Sequence, residues 1–122
     1  MNRIRKEACF VAFGLLLLTS IASHAQGFRG DPVKGQPVYQ QFCLRCHGEA
    51  LDGKGPEAAS LSVPPTDFHA MHSRIKNRME LRQTIEHGRE GVAMHAWGKI
   101  LRDDQIRDVA AYIRSVVPRV TP

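Results

Sequence analysis

Cys43-Leu44-Arg45-Cys46-His47 sets two thiols three positions apart and puts an imidazole directly after the second. A disulfide is the ordinary use of two cysteines in oxidising space, but a bridge this short closes a tiny loop and removes little unfolded-state entropy. A structural zinc site needs a second pair of ligands. The third cysteine, Cys9, sits in an apolar leader and is expected to leave with it. A redox dithiol of the thioredoxin kind needs a parallel-sheet context, and the apolar spacing of this chain is helical instead.

The pattern that remains is covalent attachment of haem c, one per chain. Thiols separated by two residues can add to the two vinyl groups of haem, and an imidazole right after the second thiol is then placed beneath the iron. Cys43 and Cys46 are the expected attachment points and His47 the axial ligand. The iron's other face decides between electron transfer and gas or peroxide chemistry. Met71 lies in a polar stretch and Met79 opens a helix, whereas Met94 sits in a glycine-bounded loop, Gly91-Val92-Ala93-Met94-His95-Ala96-Trp97-Gly98. Met94 is the favoured ligand, His95 its main rival and His87 a weaker one. His69 and His72 are expected in a solvated loop, and His24 in the leader.

The leader itself has a positive start (Arg3, Arg5, Lys6), an apolar run of eleven residues at 8–18, and small residues at Ser23 and Ala25. This is the layout of a secretory signal with cleavage after Ala25, and the run breaks at Thr19-Ser20 short of the ~20 residues that span a bilayer. The rival reading is an uncleaved anchor. The expected division is therefore a signal at 1–25 and one domain at 26–122, located in the periplasm and without a membrane span once cleaved. Cleavage would lower the net charge from +5 to +3, with fourteen basic and eleven acidic residues left. No Lys/Arg run interleaved with aromatics argues for nucleic acid. Lys34, Lys54, Lys76 and Lys99 could steer an acidic redox partner, but scattered lysines are more often a solubilising surface.

The elements that must position these groups read as all-α. Asp31-Pro32 starts a first helix running into Cys43, with Val33, Gly35, Val38, Tyr39 and Phe42 as its apolar side. Pro37 would kink it or move its start toward Gln36. Residues 48–66 are loop, rich in Gly and Pro. Asn77 to Glu80 forms a capping box ahead of Leu81 and Ile85, with Gly88 as the stop. A last helix carries Ile106, Val109, Ile113 and Val116, opens with Asp103-Asp104 and stops at Pro118.

Over residues 31–117 the chain resembles the class I monohaem c-type cytochromes. Gly35 and Tyr39 match the small and aromatic positions of the family's first helix, and Ala110-Ala111-Tyr112-Ile113-Arg114 matches the C-terminal helix they pack against. Gly53-Lys54-Gly55, Pro64-Pro65 and Met94-x-Ala-Trp97 match its three loops. The resemblance implies a small cytochrome c fold with crossing N- and C-terminal helices and haem bound covalently in the core. It further implies His47 and Met94 as metal ligands, a backbone carbonyl near Pro64 accepting from His47, and Trp97 packed near the haem edge. His95 departs from the proline that follows the ligand methionine in many relatives. Arg102 stands where a capping Ser or Thr is common, leaving Asp103 to cap the last helix.

The implied function is one-electron transfer between a redox donor and acceptor, membrane-bound complexes included, and not enzymatic turnover. Two alternatives carry different consequences: the haem subunit of an exported dehydrogenase or oxidase complex, and a ligand-binding or peroxidase-like haem protein.

Overall fold

The computed structural model describes residues 29–121. The leader expected at 1–25, with Cys9, His24 and the cleavage point, lies outside the described residues. Within them the chain forms α1 (Pro32–Phe42), α2 (Leu44–His47), α3 (Met71–Arg74), α4 (Arg78–His87) and α5 (Asp103–Val116), with 3₁₀ turns at Ala58–Ser60 and Trp97–Lys99. No strand occurs among the described residues. The all-α expectation holds.

Asp31 starts α1 in two ways. Its carboxylate accepts from the Val33 amide at 2.9 Å, and its own amide donates to the Asp108 carboxylate of α5 at 2.7 Å. The helix then continues through Pro37 to Phe42 and does not restart at Gln36. Pro37 offers no amide to the Val33 carbonyl, but Val33 is 77% exposed, so water can serve that carbonyl. The same exposure corrects the expected apolar side: Gly35, Val38 and Tyr39 are buried and Val33 is not.

α1 crosses α5 at Gly35. A Cβ built there would lie 2.0 Å from the Asp108 carbonyl oxygen and 2.9 Å from the Tyr112 Cβ, so only hydrogen lets the two backbones meet. One turn on, the rings of Tyr39 and Tyr112 lie 5.4 Å apart. Ile106, Val109 and Ile113 of α5 join Leu81 and Ile85 of α4 and Leu51, Phe68 and Leu101 from the loops in one buried cluster. At the end of α5 it is Val117, 2% exposed, that enters this cluster, while Val116 is 45% exposed.

α4 has its capping box, the Asn77 side chain accepting from the Glu80 amide at 2.9 Å and the Glu80 carboxylate from the Asn77 amide at 2.6 Å. α5 begins differently from expectation. The Arg102 amide donates to the Gln105 side chain at 3.0 Å, and Asp103 is the first helical residue, not the cap. Its carboxylate pairs with Arg82 of α4 at 2.6 Å and with Arg107, tying the two helices together. The segment expected as solvated loop around His72 contains α3, one helical turn.

Gly35→Ala tests the crossing. Alanine favours an isolated helix over glycine by about 1 kcal/mol, so a purely local view predicts stabilisation. Here the Cβ meets backbone, and overpacking of about 1–3 kcal/mol is expected to outweigh that gain. The thermal midpoint by far-ultraviolet circular dichroism should fall by several degrees, since about 1 kcal/mol is worth roughly 4–8 °C in a domain this size. A raised midpoint would show that the helices do not touch there.

Candidate functional site

Cys43 is the hinge between α1 and α2. Its amide donates to the Tyr39 carbonyl at 2.9 Å, and its carbonyl accepts from Cys46 at 3.2 Å and His47 at 2.9 Å. That single turn puts residues i, i+3 and i+4 on one side, so both thiols and the imidazole share a face. The turn is braced from behind. The buried Tyr39 hydroxyl donates to the Gly48 carbonyl at 2.7 Å. The loop amides of Gly53 and Gly55 donate to the His47 and Cys46 carbonyls at 2.9 and 3.0 Å, satisfying carbonyls that so short a helix cannot pair within itself.

This face forms one wall of a cleft of about 1080 Å³, open mouth included. The two thiols are not joined to each other. Burial, with Cys46 close by, pushes the Cys43 thiol up to about 12, so it is neutral near pH 7 and poorly suited to metal-thiolate or redox-dithiol chemistry. The His47 ring lies 4.9 Å from that of Phe68, and its Nδ1 is 3.2 Å from the Thr66 carbonyl oxygen. Burial holds His47 below its ordinary pKa, against the opposing pull of that carbonyl. The ring is thus favoured as neutral imidazole, with Nδ1–H donated to Thr66 and Nε2 left as a donor atom for a metal. The carbonyl expected near Pro64 is that of Thr66, two residues further on.

The other walls come from Leu81, Thr84 and Ile85 of α4, the proline pair, and the loop that holds Met94. Met94 is half-buried and packs against the core cluster. Its loop is pinned to the end of α4: the Arg89 amide donates to the Met94 carbonyl at 2.8 Å. Gly88, at φ 71°, lets the chain pass so close that a Cβ there would fall 2.6 Å from His95 backbone and 2.7 Å from the Met94 oxygen. Trp97 and Phe42 pack edge to face at 5.6 Å beside the thiols.

The cleft brings together Cys43, Cys46, His47, Pro64, Met94, His95 and Trp97. It leaves out Met71 and Met79, 64% and 49% exposed, and also His69, His72 and His87. His95 is exposed and stacks on Trp97 at 4.2 Å. His69 bonds the Ala50 carbonyl at 2.9 Å. No group of three or more His, Cys, Asp or Glu suited to a metal occurs among the described residues.

Thr66, Phe68 and Ser73 are site residues that sequence reasoning missed. Phe68 could have been noticed as an apolar residue stranded in a polar stretch; Thr66 acts through its backbone and carries no signal. The donor set fits haem: two free thiols and an imidazole on one wall, a thioether on another, apolar surfaces between, and no carboxylate in the lining.

The comparisons agree. A family model described as cytochrome c oxidase, cbb3-type, subunit III matches residues 30–113. The chain belongs to this family of c-type cytochromes. It is 36% identical over 84 residues to the cbb3-type cytochrome c oxidase subunit CcoP of Azospirillum brasilense, a match covering 68% of the chain and 28% of that protein. The chain thus spans under a third of the length of the CcoP relatives it matches. Cytochrome c6 of Gloeothece citriformis is 31% identical over 98 residues, which is 80% of this chain and 83% of that one.

Among solved structures, a reducing HAO-like protein complex from Kuenenia stuttgartiensis superposes with a TM-score of 0.61 at 26% identity, over 69% of this chain and 41% of that one. The dihydro-heme d1 dehydrogenase NirN gives 0.53 at 29% identity, over 73% and 17%. The fold is the small cytochrome c fold, and its cofactor is covalently bound c-type haem.

The state of His47 makes stability depend on pH. A native pKa held below the unfolded value of about 6.5 means the unfolded chain binds the proton more readily. The contribution is fully present above about pH 6.5 and is lost as pH falls through the lowered native value, with a slope of up to about 1.4 kcal/mol per pH unit for one group. Urea midpoints should therefore decline below pH 6.5, and a midpoint flat across this range would show that His47 ionises alike in both states.

Proposed function

We propose that this chain is a periplasmic one-electron carrier whose single haem is attached through Cys43 and Cys46 and ligated by His47 and Met94. The observation that carries the reading is the selection made by the cleft: of Met71, Met79 and Met94, only Met94 faces the same space as the two thiols and His47. When bound, the haem supplies reversible one-electron chemistry at iron.

The residues of the chain do the rest. Cys43 and Cys46 anchor by forming thioethers. Thr66 holds the proton on Nδ1 of His47 and so fixes the orientation of the ring. Gly88 and Arg89 hold the Met94 loop in one place, which would present its thioether to a bound haem from a fixed position. Leu81, Ile85 and Phe68 exclude water, and Pro64 and Trp97 flank the opening where an electron would pass. On this reading the chain serves as a carrier and not as an enzyme.

A second reading rests on the relatives. CcoP is named as an oxidase subunit, and a haem domain of this kind in a larger exported assembly would use the same cleft with a permanent partner. Both readings place the redox partners among exported or membrane-bound proteins. No helix among the described residues is long and apolar enough to cross a membrane.

The Cys43→Ala, Cys46→Ala double variant should lose all haem staining on a denaturing gel; full retention would sink the attachment assignment. Met94→Ala should keep the stain, lose the weak far-red band that ferric haem shows with a thioether ligand, and bind carbon monoxide when reduced. Native protein that lacks the band and already takes carbon monoxide would move the ligand-binding alternative ahead.

A further inference from the structure

Behind the Ser73–Lys76 wall of the cleft lies a buried cation that neither attaches nor ligates the cofactor. Arg114 of α5 is 6% exposed. Its Nη2 donates to the Ser73 carbonyl at 2.7 Å and to the Lys76 carbonyl at 3.2 Å, and Ser73 and Lys76 themselves line the cleft. Its Nε and Nη1 are buried without a partner. No carboxylate pairs with it among the described residues. Its charged neighbour is another cation, Arg119, which donates to the Ile75 carbonyl at 3.2 Å.

A clamp alone does not call for this residue. Burying an unpaired guanidinium costs more than hydrogen bonds to two carbonyls return, and a neutral amide donor could reach a carbonyl without that penalty. The charge needs an anion, and the cleft lining contains none: its charged side chains are Lys76 and Arg89. Haem brings two carboxylates.

On the reading that the cleft holds haem, we propose that Arg114 is an electrostatic positioning residue for it. Its buried charge, left unmatched by any carboxylate among the described residues, is balanced by the carboxylates of the cofactor and biases the iron toward the ferrous state. A fixed cation in a poorly polarisable interior favours the oxidation state of lower positive charge, because little solvent intervenes to screen it.

The test is a potentiometric titration of the haem-loaded protein and three variants, with gel haem stain and the far-red band recorded for each. Arg114→Gln keeps donors toward the two carbonyls and removes the charge. It should move the ferrous–ferric equilibrium about tenfold toward ferric, which is 59 mV for one electron. Arg114→Lys keeps the charge and should stay within about threefold of the native protein.

Arg119→Glu leaves the cleft untouched, is exposed, and sets a carboxylate beside Arg114. It should shift the equilibrium about threefold in the same direction, and it decides the matter if Arg114→Gln does not retain haem. A shift under about twofold in Arg114→Gln with stain and band intact would overturn the proposal. So would an Arg114→Lys shift as large as that of Arg114→Gln, or no shift in Arg119→Glu. Loss of stain or band in the native protein would instead count against the haem ligation on which the proposal rests.

Discussion

The approach of α1 to α5 at Gly35 is the constraint from which the rest of the structure follows. A helix that ends in the attachment turn has no fixed position unless something holds its other face. Here backbone meets backbone, with the Asp108 carbonyl oxygen only 2.0 Å from where a Cβ would stand. Contact that close fixes distance and crossing together, because neither helix can slide without driving Tyr39 into Tyr112. The direction of the Cys43–His47 turn is inherited from it. So is the position of Arg114, further along α5 from Gly35's contact, which meets the carbonyls of the opposite wall.

The two candidate ligands are held by unlike means. His47 is fixed from both ends of its side chain: the helical turn sets its Cα, and Thr66 and Phe68 set its ring. Met94 has a flexible thioether on a loop, and its order comes from backbone, through the Arg89 amide and the close passage at Gly88. A soft sulfur can adjust to a metal while its loop stays in place. An imidazole with a bonded Nδ1 cannot tilt freely, so of the two candidate ligands His47 is the rigid one and Met94 the adaptable one.

Sequence reading recovered what is local. The attachment pattern, the capping box at Asn77, the Asp31-Pro32 start and the stripe Ile106, Val109, Ile113 each depend on residues a few positions apart, and each stands in the structure. What failed depends on partners far along the chain. Val33 has the right phase for the buried side of α1 but lies at its free end, before the crossing, and faces solvent. Asp103 looks like a cap until Arg82, twenty-one positions away, claims its carboxylate. The carbonyl expected near Pro64 is that of Thr66, a residue the sequence could not single out because a backbone acceptor has no signature in residue type. Met94 was distinguishable from Met71 and Met79 only by its loop; burial against the core makes the distinction physical.

The likeness to both a stand-alone cytochrome c6 and a segment of CcoP has a physical basis in the way this cleft is built. Among the described residues, the groups proposed to hold the cofactor are braced within the chain: the Cys43–His47 turn by the Gly53 and Gly55 amides, the His47 ring by Thr66, and the Met94 loop by Arg89. A site braced in this way is compatible with use as a separate carrier or as one part of a longer chain. What distinguishes those uses must lie on the outside. Val63 at the cleft mouth is 45% exposed, and Met71 and Ile75, in and just after α3, are also exposed. An electron's path to a partner is short only where the cofactor's edge comes near the surface, and of these three residues only Val63 lines the cleft. The candidate ligands His47 and Met94 are half-buried and Arg114 is buried, so exposed residues at the mouth can change without altering the groups proposed to tune the iron.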